Sequence, residues 1–156
     1  MKRLGVYVDV SNLYYCVEKA HKKKIDYAKY LNYLSDVGVI KTQVAYAAVM
    51  GNEANAFIHA MEKLSFLVKQ KTPKEYPSST GLKRKCDFDV QMAVDILDAH
   101  TQFDMLVLGS ADGDLTPVVS WLSIRGISTL VLASGISREL KDAAKLAIEI
   151  PPSFLC

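Results

Sequence analysis

The chain has 156 residues, 50% of them hydrophobic, and a formal net charge of +2. These values fit a single globular domain over residues 1–156, and they neither require nor exclude a nucleic-acid partner. No apolar run reaches the length of a membrane span and the amino end lacks a signal-peptide core, so we expect a soluble, cytoplasmic protein without a membrane partner. The cysteines Cys16, Cys86 and Cys156 form no CxxC pair, which favours free thiols over a disulfide or zinc framework.

In the first half of the chain, short apolar runs alternate with amphipathic segments. Strands are predicted over residues 3–8, 39–50 and 66–68. Helices are predicted over residues 13–23, 26–34 and 53–64, the second capped by Asp26. The expected core stripes are Leu13, Val17 and Ala20 on the first helix and Ala56, Ala60 and Leu64 on the third.

Residues 69–85 differ from the rest of the chain. They hold five lysines, one arginine and two prolines, with little to bury, so we predict an exposed, mobile basic loop. Its last residues, Lys83, Arg84 and Lys85, would bind the phosphates of a nucleic acid, and Tyr76 would stack on a base. A solvated lysine-rich loop without a ligand is an equally good interpretation.

Strands and helices alternate again after this loop. Helices are predicted over residues 89–100, 115–124 and 137–145, and strands over residues 105–108, 128–132 and 146–150. On the first of these helices Val90, Ala93, Val94 and Leu97 are expected to face the core. The whole pattern predicts a three-layer α/β/α domain with a mainly parallel central sheet.

Aspartates gather where the predicted strands end and where one helix begins. Asp9 follows the first strand, Asp112 and Asp114 follow the fourth, and Asp87 and Asp89 open the helix after the basic loop. Because ligands bind outside the carboxyl ends of parallel strands, we expect these acids to meet if the first and fourth strands are neighbours. Clustered carboxylates raise one another's pKa unless a cation neutralises them, and oxygen ligands suit Mg²⁺ or Mn²⁺. Such a cluster serves a divalent-metal phosphodiesterase.

Each acid also has a structural interpretation. Asp9, Asp89 and Asp114 stand where helix caps are common, and Asp112 would serve the turn. Asp95 either points toward the same rim or is an ordinary solvated residue. The agreement of three clusters at one rim favours the metal site over these separate explanations.

Three motifs in this order resemble those of the NYN domain, a PIN-like ribonuclease family, and in particular its prokaryotic LabA-like branch. The motifs are Asp9-Val10-Ser11-Asn12, Lys85-Cys86-Asp87-Phe88-Asp89-Val90, and Gly109-Ser110-Ala111-Asp112-Gly113-Asp114. The resemblance covers nearly the whole chain. It implies a PIN-like α/β fold and Mg²⁺- or Mn²⁺-dependent cleavage of RNA, which we take to be single-stranded.

By motif match, the resemblance assigns the metal-binding acids to Asp9, Asp89 and Asp112, with Asp114 and Asp95 as further members of the acidic site. Asn12 matches the polar residue that orients the first aspartate or a bound phosphate. Ser110 joins Asn12 among the expected substrate-binding residues. Ser110 is not a nucleophile, since no histidine is placed to activate it.

Other families fit the acids less well. A haloacid-dehalogenase-like phosphatase needs an aspartate where Ser11 stands, a Toprim domain needs glutamate where Asp9 stands, and a receiver domain leaves Asp89 unexplained. Neither a GxGxxG nor a Walker A pattern occurs. The alternative that stays open is a non-catalytic RNA-binding or protein-interaction module of the same fold. Apolar helix faces beyond those that cover the sheet would support a homodimer.

Overall fold

A computed structural model describes residues 1–48 and 51–156, except for the side chains of residues 53 and 83–85. The strands of these ranges are β1 (Arg3–Asp9), β2 (Val39–Ala48), β3 (Leu67–Lys71), β4 (Lys74–Ser78), β5 (Gly81–Lys85), β6 (Met105–Gly109), β7 (Ser128–Ala133) and β8 (Leu146–Glu149). The helices are α1 (Val10–His21), α2 (Tyr27–Ser35), α3 (Gly51–Lys63), α4 (Asp89–Asp98), α5 (Thr116–Ile124) and α6 (Arg138–Ala143). Within these ranges, none of the helices has both the length and the apolar character that crossing a bilayer requires.

Six parallel strands form the central sheet in the order β3-β2-β1-β6-β7-β8. The chain therefore runs outward from β1 to one edge, returns, and runs outward from β6 to the other edge. Right-handed crossovers then put α1, α2 and α3 on one face of the sheet and α4, α5 and α6 on the other. The predicted three-layer α/β fold is confirmed, and so is the pairing of the first strand with the strand that begins at Met105. The predicted end of β2, at residues 49 and 50, lies outside the described residues.

The central strands are apolar because helices cover both of their faces. Every residue of β6 is buried, as are all residues of β1 except Arg3. On α2, which Asp26 caps as predicted, the hydroxyl of the fully buried Tyr30 donates a hydrogen bond of 2.9 Å to the carbonyl oxygen of Leu132. A buried tyrosine hydroxyl needs such a partner, so this bond fixes α2 against the sheet.

The predicted core stripe of α4 is only partly right. Ala93 and Leu97 are partly buried and pack against the core. Met92 and Ile96 are fully buried, whereas Val90 is 79% and Val94 is 60% exposed. Both pairs are spaced four residues apart, and two residues separate the pairs, so they lie on nearly opposite sides of the helix. The sequence therefore offers two apolar stripes and does not say which one faces the sheet.

The expected inward residues of α3 and α1 are also partly wrong. Ala56 and Ala60 are exposed on α3, where Ile58 and Met61 are buried instead. The larger side chains remove more apolar area from water, and this decides how the helix is rotated. On α1, Leu13 and Val17 are buried as predicted and Ala20 is exposed.

The predicted mobile loop over residues 69–85 is wrong in its secondary structure. Its first residues complete β3, and the remainder forms the antiparallel hairpin of β4 and β5. The hydroxyl of Ser78 accepts a hydrogen bond from the Thr80 N–H and donates one to the Gly81 carbonyl, which closes the turn at Gly81, whose φ is +115°. Two short polar strands without a core face do not produce the apolar alternation that signals a strand in sequence.

Gly5 provides the test of how tightly the sheet is packed. A Cβ atom there would lie 2.4 Å from Cδ1 of the buried Phe103 ring. We expect Gly5→Ala to lower the free energy of unfolding by about 1–3 kcal/mol through overpacking, as measured by chemical denaturation. Phe103→Leu makes room beside Gly5, so the double variant should lose less stability than the sum of the two single variants. Strict additivity would contradict the contact.

Candidate active site

Asp9 is the last residue of β1 and the cap of α1. One carboxylate oxygen accepts a hydrogen bond of 3.1 Å from the Asn12 N–H. The residue is only 8% exposed, and burial raises its pKa to about 6, helped by the charges of Asp87 and Asp112 and opposed by hydrogen bonds from the Asn12 and Ser11 N–H groups. The cap and the candidate ligand are therefore the same side chain.

Asn12 joins the end of β1 to the loop after β6. Its amide oxygen accepts a hydrogen bond of 3.0 Å from the Ala111 N–H. Because its own N–H is bound to Asp9, one residue fixes the first aspartate relative to the loop that carries Asp112.

The loop after β6 holds two further acids. Asp112 accepts a hydrogen bond of 2.9 Å from the Asp114 N–H, and the Asp112 N–H donates to the Ser110 hydroxyl at 3.3 Å. Gly113 has no positive φ angle, contrary to the usual reason for a glycine in such a turn. It provides space instead, since a Cβ atom there would lie 3.0 Å from the Ser137 hydroxyl and 3.2 Å from a carboxylate oxygen of Glu139.

The third acidic segment is the amino end of α4. The Asp87 carboxylate accepts a hydrogen bond of 2.8 Å from the Asp89 N–H, while the Lys71 ammonium donates one of 2.8 Å to the Asp87 carbonyl. Phe88 between them is buried and packs against Tyr46 of β2, with 5.6 Å between ring centroids. These contacts hold Asp89 over the carboxyl edge of the sheet.

The structure brings together Asp89, Asp112 and Asp114. One carboxylate oxygen from each lies within 4.8 Å of the other two. Burial raises the pKa of Asp89 to about 7, with further contributions from Asp112, which is both a hydrogen-bond partner and a charge, and from Asp87 and Asp9. The crowded negative charge is what would be relieved by a cation.

Some predicted site residues lie elsewhere. Asp95 is separate from this group, because its carboxylate accepts hydrogen bonds from the Tyr46 hydroxyl at 2.6 Å and the Lys69 ammonium at 2.8 Å. Its assignment as a metal ligand is corrected to that of an ion-pair partner. Ser110 is fully buried, which excludes direct contact with a substrate in this conformation. The predicted phosphate-binding side chains of Lys83, Arg84 and Lys85 lie outside the described part of the structure.

Sequence reasoning missed the residues that fix the position of α4 and of the segment before it. Tyr46, Lys69 and Lys71 belong to β2 and β3 and fix α4 through Asp95 and Asp87. Burial, followed by the hydrogen bond to Asp95, raises the pKa of Tyr46 well above its usual range. The only signal in sequence is a tyrosine inside an apolar strand, where its hydroxyl needs a partner.

Comparison with known proteins identifies the family. The model of the NYN domain matches residues 3–151. The chain belongs to the NYN domain family. This NYN chain is 25% identical over 156 residues to the low amplitude and bright protein LabA of Synechococcus elongatus, covering 95% of this chain and 83% of that relative. Its fold is similar to the crystal structure of a Vibrio parahaemolyticus protein of unknown function, with a TM-score of 0.89 at 24% identity over 99% of this chain and 96% of the other.

The predicted family is thereby confirmed. NYN domains belong to the PIN-like nuclease superfamily, whose members use divalent metals. The residues present fit such an ion, because the donor set is made of carboxylate oxygens alone and carries excess negative charge at a sheet edge. Asp89, Asp112 and Asp114 would hold it, with Asp9 beside them.

The crowding of the acids makes stability depend on pH. Folded Asp9 and Asp89 keep protons up to about pH 6 and 7, whereas an unfolded aspartate releases its proton near 3.9. The folded chain thus binds more protons between these values, so in EDTA the thermal midpoint should fall as pH rises from about 4 to about 7. Asp104 acts in the opposite direction, because the Arg3 guanidinium lowers its pKa to about 2. Its contribution to stability is lost only as the pH falls below about 4, outside this window.

Asp89→Asn should raise the midpoint at pH 8 in EDTA by about 2–4 °C, the shift that about 1 kcal/mol gives in a chain of this size, after allowance for solvent screening at a partly exposed group. Mg²⁺ should stabilise the wild type more at pH 8 than at pH 5, where Asp9 and Asp89 are protonated in the folded chain. Asp98→Asn is the matched control, since Asp98 is exposed at the other end of the same helix. An equal response of both variants would argue against crowding at Asp89.

Proposed function

We propose that the protein is a divalent-metal-dependent ribonuclease that cleaves phosphodiester bonds at the acidic site of Asp9, Asp89 and Asp112, with Asp114 as a fourth acid. The observation that supports this most directly is the convergence of carboxylates from α4 and from the loop after β6 within 4.8 Å. Asp9 adds a buried acid from the neighbouring strand. The family provides the reaction class, and the cluster provides the chemistry.

When bound there, Mg²⁺ or Mn²⁺ supplies Lewis acidity to a phosphate and lowers the pKa of water. The chain's own residues do the rest. Asp89 and Asp112 would hold the ion, and the Asn12 bridge keeps the start of α1 and the loop after β6 at a fixed separation. Asp9 is the buried carboxylate beside these acids that would accept a proton during the reaction.

The substrate strand has an open path beside these acids. A cleft of about 710 Å³ lies between the β4–β5 hairpin and α4, with Lys71, Lys74, Tyr76 and Asp87 among its lining residues. Tyr76 is 43% exposed in this cleft and presents a face on which a base can stack, while Lys74 carries positive charge along the same wall. The lining pairs two lysines, Lys71 and Lys74, with two acids, Glu75 and Asp87, so the support for a nucleic-acid strand comes from the exposed aromatic face with lysines beside it.

Cleavage can be tested on a labelled single-stranded RNA with Mn²⁺ at pH 8. We expect the wild type to cleave it and Asp112→Asn to lose about a hundredfold or more, because the ion and its ligands stabilise transition-state charge by several kcal/mol. Asp98→Asn, purified in the same way, should cleave like the wild type. EDTA should abolish the activity of both.

Two other outcomes would decide against this function. Equal cleavage by the wild type and Asp112→Asn would identify a contaminating nuclease or a site elsewhere. Binding of the RNA by both proteins without cleavage by either would support the non-catalytic RNA-binding module instead. The cytoplasmic location and the homodimer expected from the sequence stay predictions.

If RNA binds in the hairpin cleft, its affinity should depend on salt concentration through Lys74. Lys74→Ala should weaken RNA binding and reduce the slope of log affinity against log salt concentration by about 0.7, as expected for one lost contact to a single-strand phosphate. Lys29→Ala is the matched control, since Lys29 is exposed on α2 and lines no part of the cleft. Identical slopes for the two variants, measured by fluorescence anisotropy, would exclude Lys74 from the RNA path.

A further inference from the structure

A second recess lies next to the start of α1, directly after Asp9 in the chain. It has a volume of about 510 Å³ and is lined by the first turns of α1, the segment of Lys24 and Ile25 that leads into α2, the start of α2, the end of β2, one side of α3 and Cys156. We call it the aromatic pocket, and the residues that define it here are Val10, Ser11, Tyr14, Lys24, Tyr27 and Phe57. Its volume falls within the range of about 300–1,000 Å³ that is usual for pockets that bind small molecules.

We propose that the aromatic pocket receives the base of a nucleotide that flanks the cleaved bond, an inference that rests on the proposed ribonuclease function. The strand would pass over the acids and turn one unstacked base into this recess. The pocket would thereby fix which phosphate lies at the acidic site.

The walls of the pocket have the chemistry of a base-binding site. Tyr14 is 55% and Phe57 is 36% exposed, so each presents an aromatic face that the core does not cover. Tyr27 is buried beneath them and contacts the Phe57 ring edge-on, with 6.2 Å between centroids. Aromatic faces of this kind stack on any base, because every base has a π-face.

Small residues line the pocket together with these rings. They are Ala47 and Ala48 at the end of β2 and Ala54 on α3. A larger side chain at any of the three would reduce the volume. The lining therefore combines small apolar side chains with exposed aromatic ones, which suits a flat, weakly polar ligand.

Charge at the rim favours a nucleotide over an uncharged apolar ligand. Lys24 lines the pocket, and Lys22 and Lys23 precede it as exposed residues in the turn after α1. Lys22 has a left-handed backbone with φ of 57° and ends the helix, so the lysines lie in the turn that leads to α2. An ammonium beside an aromatic recess matches a phosphate attached to a base.

The pocket lies close to Asp9. Val10 and Ser11, which line it, follow Asp9 directly in the chain. Tyr27 is close enough to Asp9 for that carboxylate to contribute to the raised pKa of the tyrosine, after the larger effect of burial. A nucleotide in the pocket would thus be a neighbour of the phosphate held at the acidic site.

The test compares two adjacent tyrosines. Tyr14 and Tyr15 are 55% and 65% exposed on α1, and only Tyr14 is among the residues that line the pocket. Binding of a fluorescein-labelled adenosine hexanucleotide is measured by anisotropy at low salt in EDTA, which prevents metal-dependent cleavage. Tyr14→Ala should weaken binding about five- to a hundredfold, the usual effect of losing one base stack, and Tyr15→Ala should not.

An abasic scan then locates the base. Hexanucleotides that lack one base at each position in turn should bind the wild type more weakly at one main position. At that position Tyr14→Ala should cause no further loss, since the stack is already absent. Ala54→Phe, which fills the recess while keeping both tyrosines, should reproduce the loss. Lys24→Ala should reduce the salt dependence of binding, with Lys29→Ala as its control, since Lys29 is exposed on α2 and does not line the pocket.

The outcomes separate this proposal from the ribonuclease proposal. Equal binding by Tyr14→Ala and Tyr15→Ala, a uniform abasic scan, or no saturable binding of the RNA would overturn the aromatic pocket. Cleavage with Mn²⁺ alongside any of these results would leave the ribonuclease intact. A Tyr14-specific loss without cleavage by the wild type would support the pocket as an RNA-binding feature and reject the catalytic role of the acids.

Discussion

Repulsion among the carboxylates at the carboxyl edge of the sheet constrains the elements around them. Asp9 and Asp89 have raised pKa values, so their ionised forms are held at a cost in free energy at neutral pH. Helix capping alone does not require these carboxylates to lie close together, so it does not explain why the chain bears the free-energy cost of their repulsion. The parallel sheet imposes this proximity, since β1 and β6 are adjacent and end at the same edge.

Each acidic segment is held in place by contacts that involve its backbone or its neighbouring residues. Asn12, in the first turn of α1, accepts a hydrogen bond from the Ala111 N–H in the loop after β6. The hydroxyl of the fully buried Ser110 accepts one from the Asp112 N–H. At the third segment, Lys71 binds the Asp87 carbonyl and lies 5.7 Å from the centroid of the Phe88 ring. These contacts position the acidic segments and leave carboxylate oxygens of Asp89 and Asp112 available to the shared site.

The ion pair of Lys69 and Asp95 belongs to this set of anchors. Both side chains are partly exposed, at 32% and 23%, and the Tyr46 hydroxyl donates to the same carboxylate oxygen at 2.6 Å. Tyr46 also packs on Phe88. The strands β2 and β3 therefore contact α4 at its N-cap, Phe88, and at Asp95, about two helical turns further on. An isolated surface pair contributes little to stability, and the value of this one lies in fixing the helix that carries Asp89.

The sequence predicted those parts of the fold that follow from chain order. Alternating strands and helices favour a parallel sheet, and neighbouring parallel strands end at one rim, so the proximity of Asp9 and Asp112 could be expected without coordinates, whereas the choice of Asp89 as a third ligand came from the motif resemblance. Rotation about a helix axis does not follow from chain order. That is why the core stripes of α3 and α4 were only partly right, and why Asp95, six residues beyond Asp89, was placed with the acids although its carboxylate binds Lys69.

The two recesses together restrict what kind of RNA the site would accept. The lining of the hairpin cleft includes Asp87, and the lining of the aromatic pocket includes Val10 and Ser11, which follow Asp9 in the chain. A strand that used both would bend across the acidic edge with one base turned into the pocket. Bases in a duplex are stacked and paired, and turning one out costs a few kcal/mol in addition to opening the pair. The cleft and the pocket therefore favour an unpaired strand on geometric grounds that are independent of the chemistry at the acids.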